Sequence, residues 1–300
     1  MTPQRTLRRA TSCAGIGLHS GHKVSLTLRP APAGSGIRFR RLDLGGVEIP
    51  AHVSHVAGIS YATVLSRNGV RIETVEHLLS ALVSQGIDNA VVELNTPEVP
   101  IMDGSAAPFI FLIREEAGIK RLSAPRRFLK IVRPVTVATG DKHISIYPAD
   151  ELKVTYSISF DHPLLRQQSR SMTITEDSFA DEIAPARTFG FLKEVETLRQ
   201  QGLALGGSLD NAVVLGETGV LNNTLRFEDE FVRHKILDVI GDLALVGYPI
   251  IGHIVAHRGG HGLHTALASQ LLQERDAWQL VEVPAAGTPV PAGLPAGVRA

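Results

Sequence analysis

The chain has 300 residues, 44% of them hydrophobic and 20% charged, a composition typical of a globular protein that excludes fibrous and disordered classes. Its 30 basic and 30 acidic residues cancel, so the overall charge favours neither a nucleic acid nor an anionic membrane as partner. The single cysteine, Cys13, cannot form an internal disulfide or a cysteine-based metal cage. We expect a cytoplasmic monomer without a signal peptide or a membrane-spanning segment.

Strands followed by helices are predicted for the first half of the chain. Two stretches of alternating polarity flank the Pro- and Gly-rich segment 30–36, a pattern typical of a hairpin. For the helices, Thr74 is a candidate N-cap, Gly86 a candidate stop and Ser105 a second candidate start. The predicted elements are strands at 24–28, 37–40 and 89–94 and helices at 73–85 and 106–117.

The second half repeats this order, which predicts a duplicated α+β unit. The segment 75–79, Val-Glu-His-Leu-Leu, corresponds to 232–236, Val-Arg-His-Lys-Ile, on the later helix. We expect an N-terminal domain at 1–124, a C-terminal domain at 125–283 and a disordered tail at 284–300. The predicted elements are a linker at 123–127, strands at 129–132, 154–158 and 250–256, and helices at 228–245 and 265–276.

A candidate metal site lies on the later helix. His234, Asp238 and Asp242 follow one another at intervals of four residues, so they share one helix face. Imidazole and carboxylate are suitable zinc ligands. His77, on the corresponding helix of the first half, is the best third ligand, and the adjacent Glu76 could act on metal-bound water. Two histidines and one aspartate would leave an open position, as in catalytic zinc sites.

The same spacing is also typical of a surface ion pair, and Glu76 is an ordinary acid for a first helical turn. The surroundings favour the metal site, because the polar side chains of 233–235 and Asp238 interrupt an otherwise apolar run. Buried charges need partners or a metal. In addition, the Gly-Gly-His-Gly segment 259–262 places His261 in a predicted flexible loop after a strand, a location typical of functional groups.

Seven motifs, in order along the chain, resemble the family of UDP-3-O-acyl-N-acetylglucosamine deacetylases, zinc amidases of lipid A biosynthesis in Gram-negative bacteria. The resemblance implies two similar α+β domains, each with a β-sheet packed on α-helices, and an active site where the domains meet. The substrate would be a UDP-linked acylated glucosamine, reached through transient contact with the inner leaflet. The motifs lie at 15–21, 74–82, 101–106, 186–191, 206–212, 233–243 and 259–261.

The resemblance also implies roles for individual residues. His77, His234 and Asp238 would bind Zn²⁺, and Glu76 would act as the general base. Thr188 would polarise the amide carbonyl together with zinc, and Lys235 would hold a phosphate or sugar oxygen. His261 would stabilise the developing charge and protonate the leaving amine, whereas Asp242 would orient His261 and keep it protonated. Whether Glu76 or His261 supplies that proton stays open.

Seven further positions would bind the substrate by the same resemblance. The acyl chain would contact Phe189, Val195, Ala212 and Val214, for which core packing is an equally good interpretation. Lys142, Phe160 and Arg258 would lie near the nucleotide, with Phe160 stacked on uracil and the two basic groups at the diphosphate.

The chain departs from the family pattern at two places. After Gly-Gly-His the family usually has a Leu-Asn segment, whereas here Leu263 is followed by His264. A cysteine often found near position 61 is absent, and Tyr61 stands there instead. Neither departure removes a proposed catalytic residue. Two rival interpretations remain, a zinc hydrolase of a different amide and a catalytically silent binding protein with the same fold.

Overall fold

The computed structural model describes residues 1–222 and 224–284. The predicted tail at 284–300 therefore lies, apart from its first residue, outside the described residues. The strands of the first half are β1 (Pro3–Leu7), β2 (Thr11–Ile16), β3 (Lys23–Pro30), β4 (Ile37–Arg41), β5 (Val47–Pro50), β6 (Val56–Gly58), β7 (Val64–Arg67), β8 (Val70–Ile72), β9 (Ala90–Leu94) and β10 (Ile119–Pro125).

The strands of the second half are β11 (Arg127–Ile131), β12 (Val135–Thr139), β13 (Lys142–Tyr147), β14 (Leu152–Ile158), β15 (Gln168–Thr173), β16 (Phe189–Phe191), β17 (Val213–Leu215), β18 (Ile250–His257) and β19 (Trp278–Glu282). The α-helices are α1 (Glu76–Ser84), α2 (Ala107–Phe111), α3 (Glu176–Ser178), α4 (Leu192–Gln200), α5 (Glu230–Leu243) and α6 (His261–Gln273). Among the described residues, no helix is both long and apolar enough to cross a membrane.

The first large sheet has the strand order β2-β3-β9-β4-β5. Its central strand β9 is antiparallel to β3 and parallel to β4. The predicted hairpin between 24–28 and 37–40 is therefore wrong, because β9 inserts between the two strands. Four of the five residues of β9 are buried, and such a strand is stabilised by a partner on each side.

The second large sheet repeats this scheme. Its central strand β18 is antiparallel to β13 and parallel to β14, while β12 and β15 continue the sheet beyond these two strands. In both halves a buried helix precedes the central strand, α1 before β9 and α5 before β18. The chain therefore has the expected α+β fold, and the repeated topology supports the duplication that the sequence predicts.

The segment predicted as a linker, 123–127, is mostly strand. Residues 123–125 belong to β10, which pairs with β1, and residue 127 begins β11, which pairs with β19. Pro125 and Arg127, which favoured a linker, are exposed residues at a strand end and a strand start, where these residue types are tolerated. The division of the chain at 124/125 stays a prediction.

The helices α1 and α5 cross in close contact, and this contact positions the candidate site. A Cβ atom on Gly241 would lie only 2.0 Å from the backbone oxygen of Glu76, so α5 needs glycine there. The first helix begins at Glu76 after Val75, not at a Thr74 cap. Thr74 has a positive φ of 59° and its hydroxyl donates to Glu98 Oε1, while no side-chain hydrogen bond caps the start of α1.

Candidate metal centre and active site

Three potential metal ligands meet where α1 and α5 cross. Nε2 of His77, from α1, lies 3.7 Å from Oδ1 of Asp238, and Nε2 of His234 lies 3.4 Å from the same oxygen. The two imidazole rings are 4.9 Å apart and perpendicular. All three side chains are buried. The structure therefore brings together the three residues that the sequence singled out as metal ligands.

The hydrogen bonds of this cluster leave room for a cation. Oδ1 of Asp238 is buried and has no hydrogen-bond partner among the described residues, while Oδ2 accepts a hydrogen bond of 2.7 Å from Lys235 Nζ. Nδ1 of His234 lies 3.1 Å from Ala186 O. A proton on Nδ1 donates to that carbonyl, which leaves the Nε2 lone pair directed at the cluster. An unpaired buried carboxylate oxygen facing two imidazoles is costly unless a cation lies between them.

The protonation states of the cluster also suit a metal. Burial lowers the pKa of His77 to about 3 and lowers that of His234, so both imidazoles are neutral. Burial opposes ionisation of Asp238, but the positive charges of Lys235 and His261 hold its pKa well below the ordinary value. Neutral imidazoles and an ionised carboxylate are the forms that bind zinc. The residues present therefore fit a Zn²⁺ ion.

Glu76 lies beside this cluster as the first residue of α1. Its Oε2 accepts a hydrogen bond of 3.1 Å from the backbone N–H of Thr63. Its Oε1 lies 3.9 Å from Nε2 of His261. Burial raises the pKa of Glu76 to about 7. A carboxylate with a pKa near neutral can both accept and return a proton, as general acid–base chemistry requires.

His261 faces Glu76 through one ring nitrogen and is hydrogen-bonded to Asp242 through the other. Nδ1 of His261 lies 2.8 Å from Asp242 Oδ2. Although burial lowers the pKa of His261, the charge of Asp242 and its hydrogen bond dominate and raise it to about 9. The pKa of Asp242 is correspondingly lowered to about 2, because His261 outweighs the effect of burial. The pair is therefore an imidazolium and a carboxylate at neutral pH.

The predicted flexible loop around His261 is wrong, since His261 is the first residue of α6, which begins four residues earlier than the predicted helix start at 265. Gly260 occupies the N-cap position with extended backbone and provides no side-chain cap. The helix dipole disfavours a cation at its N-terminus. Asp242 must therefore supply the charge that keeps His261 protonated there.

Two further proposed catalytic residues adjoin the metal ligands. Ala186, whose carbonyl oxygen contacts His234, lies two residues before Thr188. The backbone N–H of Thr188 donates to Gly104 O, and its carbonyl oxygen accepts from the N–H of Val213. Lys235 Nζ contacts Asp238 and lies 5.7 Å from the centre of the Phe189 ring. Their roles in carbonyl polarisation and phosphate or sugar binding stay predictions.

Phe189 and Phe160 form an aromatic wall next to His234. The Phe189 ring lies 6.3 Å from the His234 ring and 6.0 Å from that of Phe160. Residue 190 of β16 pairs with Val214 of β17, and Ala212 directly precedes β17. Val195 lies on α4, a helix without a fully buried residue. The structure therefore places Phe189 at the metal cluster and Val195 on a more open surface.

The two basic residues expected near the nucleotide lie on the second sheet. Lys142 is the first residue of β13 and is exposed. Arg258 directly follows β18 and forms an ion pair with Asp141. Lys142 and Arg258 lie next to one another because β13 and β18 are paired, and in this pairing the neighbouring residues His143 and His257 are opposite each other. Substrate contacts at all seven positions stay predictions.

Sequence reasoning missed three side chains that hold the site together. Thr63 Oγ1 donates to Asp242 Oδ1 over 2.6 Å, His264 Nδ1 lies 2.8 Å from Asp242 Oδ2, and Tyr156 OH lies 2.8 Å from His264 Nε2. The one available signal was His264, which stands where the family pattern has asparagine. Thr63 and Tyr156 carry no local motif, so only the fold identifies them.

Comparison with known proteins decides the family. Residues 4–273 match the family described as UDP-3-O-acyl N-acetylglycosamine deacetylase. The chain belongs to this family. It is 52% identical over 285 residues to the UDP-3-O-acyl-N-acetylglucosamine deacetylase of Pseudomonas entomophila (strain L48), with 94% of each chain covered. It is 50% identical over 291 residues to the protein of the same name from Hahella chejuensis (strain KCTC 2396), with 96% of each chain covered. Against the Methylococcus capsulatus (strain ATCC 33009 / NCIMB 11132 / Bath) protein of that name it is 51% identical over 285 residues, covering 94% of this chain and 93% of the relative.

Proposed function

We propose that this protein is a zinc-dependent hydrolase that removes acetate from UDP-3-O-(3-hydroxyacyl)-N-acetylglucosamine, the committed step of lipid A biosynthesis. Family membership along nearly the whole chain supports the reaction. The observation that carries the chemistry is the buried Oδ1 of Asp238, which faces Nε2 of His77 and His234 and has no hydrogen-bond partner in the part of the chain that the structure describes. Because Glu76 and His261 adjoin this cluster, a ligand-binding position and two proton-transfer groups lie in one site.

His77, His234 and Asp238 would hold the zinc ion. When bound, zinc supplies Lewis acidity, which polarises a carbonyl and lowers the pKa of water. The neighbouring residues then divide the remaining tasks. Glu76 accepts a proton from the attacking water at its carboxylate, and Thr188 donates a hydrogen bond to the amide oxygen as that oxygen gains charge. One such donor contributes about 3–4 kcal/mol where it has been removed from other enzymes.

His261 is the second proton-transfer group, and its Nε2 faces Glu76. Its protonated Nε2 stabilises the negative charge that develops during attack and can deliver a proton to the departing 2-amino group. Asp242 keeps the ring oriented by accepting from Nδ1. Glu76 is the alternative proton donor, because its pKa of about 7 suits the return of the proton it received.

Substrate binding would combine an apolar and a polar region. Phe189, Val195, Ala212 and Val214 would contact the acyl chain. Lys142, Phe160 and Arg258 would contact the UDP moiety, and Lys235 would hold a phosphate or sugar oxygen. We further propose that the protein acts as a cytoplasmic monomer that reaches its lipid-linked substrate by transient contact with the inner leaflet.

Deacetylation of UDP-3-O-acyl-N-acetylglucosamine by the purified protein tests the proposal. The assay is run before chelation, after chelation and after addition of one equivalent of zinc, with metal content measured at each stage. We expect activity to disappear and return with zinc. Activity that survives complete metal removal would refute the zinc mechanism. A zinc-loaded protein that leaves this substrate intact but cleaves another N-acetyl compound would assign the site to a different amide.

A further inference from the structure

Two histidines share a single oxygen of Asp242. Asp242 is fully buried, and Thr63 Oγ1 donates to its Oδ1 over 2.6 Å. Its Oδ2 lies 2.8 Å from Nδ1 of His261 and 2.8 Å from Nδ1 of His264. Both distances are those of charge-assisted hydrogen bonds. The proposed reaction uses His261, whereas it assigns no role to His264.

The positions of the protons on His264 follow from its partners. An ionised carboxylate only accepts hydrogen bonds, so Nδ1 of His264 must carry a hydrogen and donate it to Asp242. The ring is completely buried and burial lowers its pKa, so His264 is neutral and Nε2 carries a lone pair. Tyr156 OH, 2.8 Å away, therefore donates to Nε2. The result is a directed series of two hydrogen bonds, from Tyr156 to His264 and from His264 to Asp242.

The backbone is shaped to admit this chain. Tyr156 is fully buried on β14, and its ring packs perpendicular to that of His264. A Cβ atom on Gly259 would lie 2.6 Å from Tyr156 OH and 3.2 Å from His264 Nε2. Glycine at 259 therefore leaves the space that this hydrogen bond occupies.

His261 and His264 differ in what their second ring nitrogen faces. Nε2 of His261 points to Glu76 at 3.9 Å, and the side chain keeps 11% of its surface exposed. Nε2 of His264 is occupied by Tyr156 and cannot reach the substrate. The titratable groups that act on His261 are Asp242 and Asp238 of α5, Glu76 and His77 of α1, His234 of α5, His19 after β2, and His264 of α6.

We propose that His264, fixed by Tyr156, is a positioning residue of the proposed reaction: it shares the Asp242 carboxylate with His261 and thereby sets how tightly His261 holds its proton. The neutral Nδ1–H of His264 stabilises the negative charge of Asp242. A carboxylate stabilised in this way is a weaker base, so it holds the His261 imidazolium less tightly than an otherwise identical carboxylate without this donor.

Asparagine at this position provides a matched variant. The amide nitrogen of asparagine and Nδ1 of histidine are both bonded to Cγ, so His264→Asn can keep the donor to Asp242 while losing the acceptor for Tyr156. His264→Leu removes both. The two variants therefore separate loss of the Asp242 hydrogen bond from loss of the ring.

The test is the pKa of His261 in the zinc-loaded protein, measured by NMR of ¹⁵N-labelled histidine between pH 6 and 10. We expect His264→Leu to raise this pKa by about one unit, since one hydrogen bond to a charged group is lost. His264→Asn should stay within a few tenths of a unit of the wild type. In the wild type, His264 itself should show a protonated Nδ1 and an unprotonated Nε2 throughout the range.

An unchanged or lowered His261 pKa in His264→Leu, or an Nε2–H form of His264 in the wild type, would overturn the proposal. If His264→Leu does not fold, Tyr156→Phe serves instead, because it removes only the hydroxyl that polarises His264. We then expect a smaller upward shift of the His261 pKa, and no shift contradicts the proposal. The proposal rests on the proposed function for its meaning in catalysis, but the NMR titration does not use the reaction, so the two can fail separately.

Discussion

Asp238 and Asp242 are two fully or nearly fully buried carboxylates one turn apart on the same helix, yet they have opposite surroundings. One oxygen of Asp238 accepts a hydrogen bond from Lys235, and the other has no hydrogen-bond partner within residues 1–222 and 224–284. Asp242 has both oxygens occupied by side-chain donors. A buried carboxylate that lacks a partner is costly and favours a cation, whereas a saturated one can only hold its donors in place. The difference supports the proposed roles of Asp238 as a metal ligand and of Asp242 as the partner of His261.

The charges of both aspartates act on Glu76, and replacing Glu76 gives the largest expected effect. Glu76→Gln removes the proton acceptor but none of the three metal ligands. We expect zinc content to stay at one equivalent and kcat to fall by about 10²–10⁴-fold, the usual contribution of a general base. Steady-state kinetics and metal analysis of the same preparation check this. Wild-type turnover in the zinc-loaded variant would exclude Glu76 as the base.

Replacing the two aspartates separately tests their division of roles. Asp238→Ala removes a ligand, so we expect zinc affinity to fall by at least about 100-fold, more than the loss of a residue that only supports a ligand. Asp242→Ala should keep near-normal zinc affinity and lose turnover instead, because His261 is no longer held as an imidazolium. Competition with a zinc-binding dye measures both affinities. Equal zinc affinities in the two variants would remove the distinction.

Part of this site can be predicted from local sequence periodicity. The spacing of His234, Asp238 and Asp242 fixes their common helix face without knowledge of the fold. The repeated pattern of the two halves identifies His77 as a candidate third ligand and the adjacent Glu76 as a candidate general base. The family resemblance then assigned roles to residues that spacing alone left open, such as Thr188 and His261.

The remaining features depend on contacts between distant parts of the chain. Thr63 and Asp242 are 179 positions apart, and Tyr156 and His264 are 108 apart, so no sequence window contains either pair. The hairpin prediction failed for the same reason, because β9 enters the sheet between two strands that precede it. Local pattern indicates that a strand exists, whereas its neighbours are set by which buried surfaces must be covered.

Where α1 and α5 cross, we expect a glycine-to-alanine substitution to change stability in the direction opposite to the usual one for a helix interior. Alanine is normally favoured over glycine inside a helix by about 1 kcal/mol. At Gly241, however, the added Cβ would lie 2.0 Å from the Glu76 backbone oxygen. We expect Gly241→Ala to reduce the free energy of unfolding by about 1–3 kcal/mol, the usual cost of overpacking, as measured by urea unfolding of the zinc-loaded protein.

Gly262→Ala on α6 is the matched control for Gly241→Ala. Its Cβ would meet only the terminal Cδ1 of Ile59, at 3.0 Å, and that flexible end can move. We expect little change or a slight stabilisation. If both alanine variants are equally stable, the α1–α5 contact is looser than the structure indicates, and the aspartates are positioned in another way.

The last prediction concerns the pH dependence of stability between pH 7 and 9, which arises from the Asp242–His261 pair. Asp242 raises the pKa of His261 to about 9 in the folded protein, against an ordinary value of 6.5. Between these values the folded protein binds more protons than the unfolded chain. Stability from this pair is therefore fully present below pH 6.5 and is lost as pH rises through 9, at up to about 1.4 kcal/mol per pH unit. Urea unfolding of the zinc-loaded protein at pH 7, 8 and 9 measures this loss.

His261→Asn provides the comparison, because the asparagine amide nitrogen is bonded to Cγ like Nδ1 of histidine and can still donate to Asp242, but it does not titrate. We expect the wild type to lose more stability than this variant between pH 7 and pH 9, so that the two unfolding free energies converge. The alkaline limb of the pH–rate profile should disappear in the same variant, since it has no imidazolium to lose its proton. A parallel pH dependence of stability in both proteins would mean that the titrating group is not His261, and that Asp242 serves only to position the ring.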